Sequence, residues 1–167
     1  MAFRLSSSFK LDAEITSSLD LTTPTSALSV ARQLRLAQGT GAGQADMIWS
    51  DKVTIAASGT QAIDLAGSLT GPLGGTLTFV KLKMIVVAAV PGNTNNVNVV
   101  SDATNGPLLF LAKGDGIPVK PGGLFVWFDP SAAGVPITAG TGDLINLVNS
   151  AAGTPVTADV VIVGASA

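Results

Sequence analysis

The chemistry open to this chain rests on carboxylates, hydroxyls, lysines and arginines. Among its 167 residues there is no histidine, tyrosine or cysteine. That removes the commonest general base and metal ligand, the phenolic acids and every thiolate. No Ser-His-Asp or Cys-His arrangement can form. What remains is a serine–lysine or paired-carboxylate mechanism. The eleven carboxylates are scattered: Asp12 with Glu14, Asp46 with Asp51, and then Asp20, Asp64, Asp102, Asp115, Asp129, Asp143 and Asp159 singly. A glycosidase pair needs two carboxyls held roughly 5–10 Å apart, and nothing in the spacing selects one. Most of these acids lie beside Gly, Pro, Asn or Ser, where aspartate forms turns. The expectation is no catalytic residue, no cofactor and no metal site.

Four further segments carry weaker signals. Gly39-Thr40-Gly41-Ala42-Gly43 has the glycine density of a phosphate loop but lacks the Gly-Lys-Ser/Thr ending. It reads as a flexible hinge. Lys113-Gly114-Asp115-Gly116 lacks the acidic ladder of a calcium loop and reads as a turn. Asn93, Asn95, Asn96 and Asn98 offer amides to a sugar, yet asparagine is equally at home in turns. Trp49, Phe125, Trp127 and Phe128 supply most of the large aromatic surface. Core or interface packing explains them better than a stacking platform.

The elements that would hold these groups read as strands. Residues 3–21 alternate: Phe3, Leu5, Phe9, Leu11, Ala13, Ile15, Leu19 and Leu21 at odd positions, polar or charged residues at most even ones. An extended chain sends successive side chains to opposite faces. This segment therefore has one apolar and one wet edge, and its apolar edge needs a surface to lie on. Phe3, Leu5, Phe9, Leu11, Ile15, Leu19 and Leu21 are the expected assembly contacts. Residues 26–37 fit a capped helix or a strand, and strand neighbours on both sides favour the strand. Further strands are expected at 47–57, 63–65, 76–90, 97–100, 108–112, 117–120, 123–129, 135–138, 143–149 and 156–164. The apolar run Met84–Val90 suits a central strand buried on both faces. Short strands with turn signals every 8–12 residues mark a sandwich or barrel. The expected fold is all-β, a jelly-roll-like β-sandwich over 45–167. An extended N-terminal arm and glycine-rich hinge precede it over 1–44.

Composition narrows the function class. Hydrophobic residues make up 47% and charged residues 12%, against about 25% charged in an ordinary soluble domain. A chain so poor in charge covers much of its surface with other protein, which predicts a homo-oligomer. Nine scattered cations and a net charge of −2 give no phosphate-binding patch, so nucleic acid is not the expected partner. No apolar run reaches the ~20 residues that cross a membrane as a helix. The first residues lack a secretory pattern, which predicts assembly in a cytosol.

The order of several motifs resembles a family of small virion proteins of tailed bacteriophages. These are Gly39-Thr40-Gly41-Ala42-Gly43-Gln44-Ala45-Asp46, Trp49-Ser50-Asp51, Ile63-Asp64-Leu65-Ala66-Gly67 and Leu77-Thr78-Phe79-Val80-Lys81-Leu82-Lys83. Asn93-Thr94-Asn95-Asn96-Val97, Pro121-Gly122-Gly123, Ala139-Gly140-Thr141-Gly142-Asp143-Leu144 and Val161-Ile162-Val163-Gly164-Ala165-Ser166 follow. The likeness covers most of the chain from about residue 35 and extends to β-sandwich capsid decoration, or cement, proteins. It implies a non-enzymatic structural role in the virion, with the major capsid protein or another virion protein as partner. It transfers no catalytic residue. Other expectations open at this point are a tail, baseplate or head-fibre component and a carbohydrate-binding module.

Overall fold

The computed structural model describes residues 3–67 and 69–167. Among these there is no helix, and the chain runs through fourteen strands. The first pair is β1 (Arg4–Thr16) and β2 (Thr25–Gln38), followed by β3 (Gln44–Ala45). Next come β4 (Met47–Ile55), β5 (Thr60–Asp64), β6 (Leu69–Thr70), β7 (Thr76–Leu77), β8 (Lys81–Ala89) and β9 (Val97–Ser101). The last five are β10 (Gly116–Val119), β11 (Leu124–Phe128), β12 (Val135–Pro136), β13 (Leu144–Asn149) and β14 (Val156–Ala165).

Two antiparallel sheets face each other as a β-sandwich. One has the order β11-β8-β14-β4, with β12 also on β8; the other has the order β10-β9-β13-β5. The pairings nest: β4 with β14, β5 with β13, β8 with β11, β9 with β10. Between the sheets lies the main core, with Ile55, Leu65, Phe79, Ile85, Val87, Val97, Ile145, Leu147 and Ile162 almost fully enclosed. Apart from Leu65 and Phe79, which lie just outside strands, these side chains come from alternate strand positions, as a sheet with one face inward requires.

The expected strand at 76–90 is central but interrupted. Between β7 and β8 the amides of Phe79 and Val80 bond the carbonyls of Leu65 and Ala165 instead of a strand ladder. Within β8, Ile85, Val87 and Ala89 point to the core, while Val86 and Ala88 are half-buried on the outer face. Residues 108–112 are not a strand. Pro107 has no N–H to offer a ladder, and the Leu109 amide turns back onto its carbonyl at 2.8 Å. Leu109 is buried, whereas Leu111 is wholly exposed.

The expected single extended arm is a two-stranded hairpin. β1 and β2 pair antiparallel along their whole length, from Arg4 opposite Ala37 to Thr16 opposite Thr25. The reason is main-chain bonding: a lone strand leaves both rows of N–H and C=O groups unpaired. Thirteen rungs make it roughly 40 Å long at ~3.3 Å per residue. The expected hinge is a closed turn rather than a flexible link. Gly39 and Gly43 adopt φ of 137° and 67°, a region that glycine enters without steric cost. The amides of Ala37, Gly39 and Gly43 bond the carbonyls of Gly43, Ala45 and Pro130. The Gln44 side chain accepts from the Gly41 amide at 2.9 Å.

Candidate functional site

In an antiparallel pair, residues directly opposite share a face. The hairpin register therefore sorts its side chains into two faces. One carries Leu5, Phe9, Leu11, Ala13 and Ile15 from β1, with Leu36, Leu34, Arg32, Val30 and Leu28 from β2. The other carries Arg4, Ser6, Ser8, Lys10, Asp12, Glu14 and Thr16, with Arg35, Gln33, Ser29 and Thr25 among their partners. The polar face is knit by local bonds. Lys10 Nζ lies 2.7 Å from Asp12, and the Ser29 hydroxyl donates to the same carboxylate at 2.7 Å. Lys10 and then Ser29 hold the Asp12 carboxyl below the usual carboxylate range.

The apolar face is used unevenly along its length. At the base, Leu36 and Ala45 are buried with Met84 and Val163 of the five-stranded sheet. Phe3, Leu5 and Leu34 pack half-buried on the same cluster, beside Ile48, Val86, Phe128 and Val161. Toward the tip, Phe9 is 57% exposed, Leu11 45%, Ile15 75% and Leu28 54%. The eight outer rungs, from Phe9–Arg32 to Thr16–Thr25, span roughly 25 Å.

The seven residues expected as assembly contacts thus fall into three groups. Phe3 and Leu5 anchor the hairpin to its own body. Phe9, Leu11 and Ile15 line the free face. Leu19 and Leu21 lie beyond the end of β1 in the hairpin loop, exposed, where the Ser17 and Leu19 amides bond the Pro24 and Thr22 carbonyls. Leu28 and Val30 belong to the same face but come from the second strand. Their alternation with Leu34 and Leu36 was the signal for them; only the cross-strand register puts them beside Leu11 and Ala13.

The carboxylates are spent on the backbone. Asp64, Asp102, Asp115, Asp129 and Asp143 each accept an N–H from within three residues. At Asp102 the Asn105 amide, then Thr104 and the Asn146 side chain, lower the carboxyl pKa. Asp143 keeps one enclosed oxygen without a partner, but no group of three His, Cys, Asp or Glu side chains able to hold a metal occurs among the described residues. In the asparagine cluster Asn93 and Asn95 are similarly occupied, whereas the enclosed Asn98 Oδ1 has no partner among the described residues. Asn93 bonds both the N–H and the C=O of Thr157. Asn95 donates to Asn149, which in turn bonds the carbonyls of Ala56 and Thr154.

A cleft of about 330 Å³ opens between the edge strands β4 and β5, lined by Trp49, Asp51, Lys52, Gln61 and Asp64. Trp49 is only 9% exposed there, so it offers a rim and not a flat stacking face. Phe125 and Trp127 pack half-buried against the core, and the Phe125 ring lies 6.1 Å from that of Phe110. Comparison with known proteins found no matching family model, no matching curated protein and no matching solved structure.

Proposed function

We propose that the protein is a non-enzymatic structural component of a tailed-phage virion, one that decorates or cements the capsid shell through its N-terminal hairpin. The observation that carries this reading is the division of the hairpin's apolar face. Its base is fixed on the body while its outer half leaves Phe9, Leu11, Ile15 and Leu28 about half exposed or more. Such a face is stable in water only at a cost that a partner relieves, at roughly 25 cal/mol per Å² of apolar surface covered.

Three further features support the reading. The nested strand pairing of the β-sandwich is compatible with a jelly roll, an architecture of many viral capsid and lectin domains; this is support by analogy of fold. The low charge suits a surface largely in contact with protein. The carboxylates and asparagines tie turns instead of converging on a substrate. Repetition on a shell would then turn modest individual contacts into firm attachment by avidity. A sugar-binding module is less well supported, because no tryptophan presents an open face.

Quantitative gels of purified particles test the assignment. A decoration protein is present in hundreds of copies and stays bound in moderate salt. A copy number confined to a tail or a single vertex would move the assignment to a tail, baseplate or head-fibre component. Release at about 0.3 M salt would contradict an apolar clasp, because only exposed charge contacts are screened so readily.

A further inference from the structure

The surface on which the hairpin base sits continues across the same sheet; the base cluster reaches Val86 and Val161 and leaves the β11 edge open. On the outer face of β11-β8-β14-β4 the register sets three rows. Phe128, Met84, Val163 and Ile48 form the first, and the hairpin base covers it. Val126, Val86, Val161 and Ser50 form the second; Leu124, Ala88, Asp159 and Lys52 form the third. Val126 is 43% and Leu124 65% exposed. The third row ends in an exposed ion pair, Lys52 Nζ to Asp159 at 3.2 Å.

One chain therefore carries two apolar surfaces that are continuations of a single intramolecular interface. The hairpin face runs past the covered row, and the sheet face runs past the hairpin base. Both remain open at once, so neither is covered by its own chain. Resting on the assembly reading above, we propose that the outer half of the hairpin lies on the second and third rows of a second copy, joining copies head to tail.

Charge favours this occupant. Residues 3–38 hold four cations and three acids, whereas the rest of the chain holds five cations and eight acids. A positive hairpin thus meets a negative body. The one charge in the apolar hairpin face is Arg32, opposite Phe9, and the receiving face holds Asp159 together with its ion-pair partner Lys52. Two hairpins packed on each other would leave Leu124 and Val126 bare. A head-to-tail contact uses two different patches, so it closes into a ring when the rotation between copies permits.

The absence of cysteine makes the test clean. The full chain carrying both Leu11→Cys and Val126→Cys is treated with a short bis-maleimide, beside each single variant. The double variant gives a ladder of covalent multimers on a denaturing gel, and each single variant stays monomeric. A dimer from Leu11→Cys alone would show hairpins meeting each other and overturn the proposal. So would a double variant that stays monomeric or bridges within one chain. In that case, binding of the wild-type chain to capsids separates the two readings. Retained binding leaves the assembly role standing with another protein as occupant; loss of binding removes both.

Discussion

Replacing Leu36 by alanine tests whether the hairpin base is part of the cooperative fold. Leu36 is 1% exposed, and its neighbours Met84 and Val163 belong to the two central strands of the five-stranded sheet. Those strands are held on both sides by ladder bonds, so they cannot move in to fill the space. Large-to-small changes at such positions cost about 2–5 kcal/mol. With a urea slope of about 1–3 kcal/mol/M, the midpoint should fall by about 1–2 M. Trp49 and Trp127 pack against the core between the sheets, so their fluorescence reports the sandwich and not the hairpin. Leu11→Ala is the control. The same chemistry at a half-exposed tip position should stay within about 0.5 kcal/mol. A Leu36→Ala midpoint as high as that of Leu11→Ala would refute the reasoning. It would mean that the hairpin base merely rests on the sheet and loosens without unfolding it.

Two further outcomes follow from particular contacts. A Cβ at Gly164 would lie 2.2 Å from the Lys81 carbonyl oxygen and 2.6 Å from the Phe79 ring; Gly164→Ala should therefore cost about 1–3 kcal/mol by overpacking, read from the same urea curves, and an unchanged midpoint would contradict it. Lys83 is fully enclosed, and its Nζ donates to the Ser131 carbonyl. Burial lowers its pKa, with nearby Asp129 opposing and Lys81 adding to the shift. Between that lowered value and the ordinary ~10.4 the unfolded chain binds the proton more readily, so stability should rise with pH through this window. Lys83→Met should abolish that component of the rise and be neutral or stabilising at pH 7. Urea midpoints at pH 7 to 10 decide it, and an identical rise in the variant would assign it to other groups.

The strands were legible where one face meets the core and the other does not. The alternation of residues 3–16 and 47–55 is the pleat itself, and Met84–Val90 marked a central strand through its lack of polar positions. Leu19 and Leu21 continued the pattern by coincidence, beyond the last rung at Thr16. The hairpin was not legible because its loop, residues 17–24, has none of the two-residue turn signals that announce a tight connection. Residues 26–37 are rich in Ala, Leu, Arg and Gln, good helix formers. Long-range pairing with β1 overrides that preference, and no local pattern reveals it. Residues 39–43 looked like a linker because glycine density signals freedom. Here two glycines adopt positive φ to close a bonded turn. The free apolar face was half visible: its first strand could be read off the sequence, while Leu28 and Val30 joined it only through register.

If the outer hairpin face makes the assembly contact, co-sedimentation with particles assembled without this protein depends on it. Leu11→Asp places a charge on the free face without touching the core, so its urea midpoint should match that of the wild type. Asp12→Ser changes the neighbouring residue on the polar face. Leu11→Asp should remain in the supernatant, while Asp12→Ser should pellet with the particles as the wild type does. Undiminished pelleting of Leu11→Asp would contradict that contact.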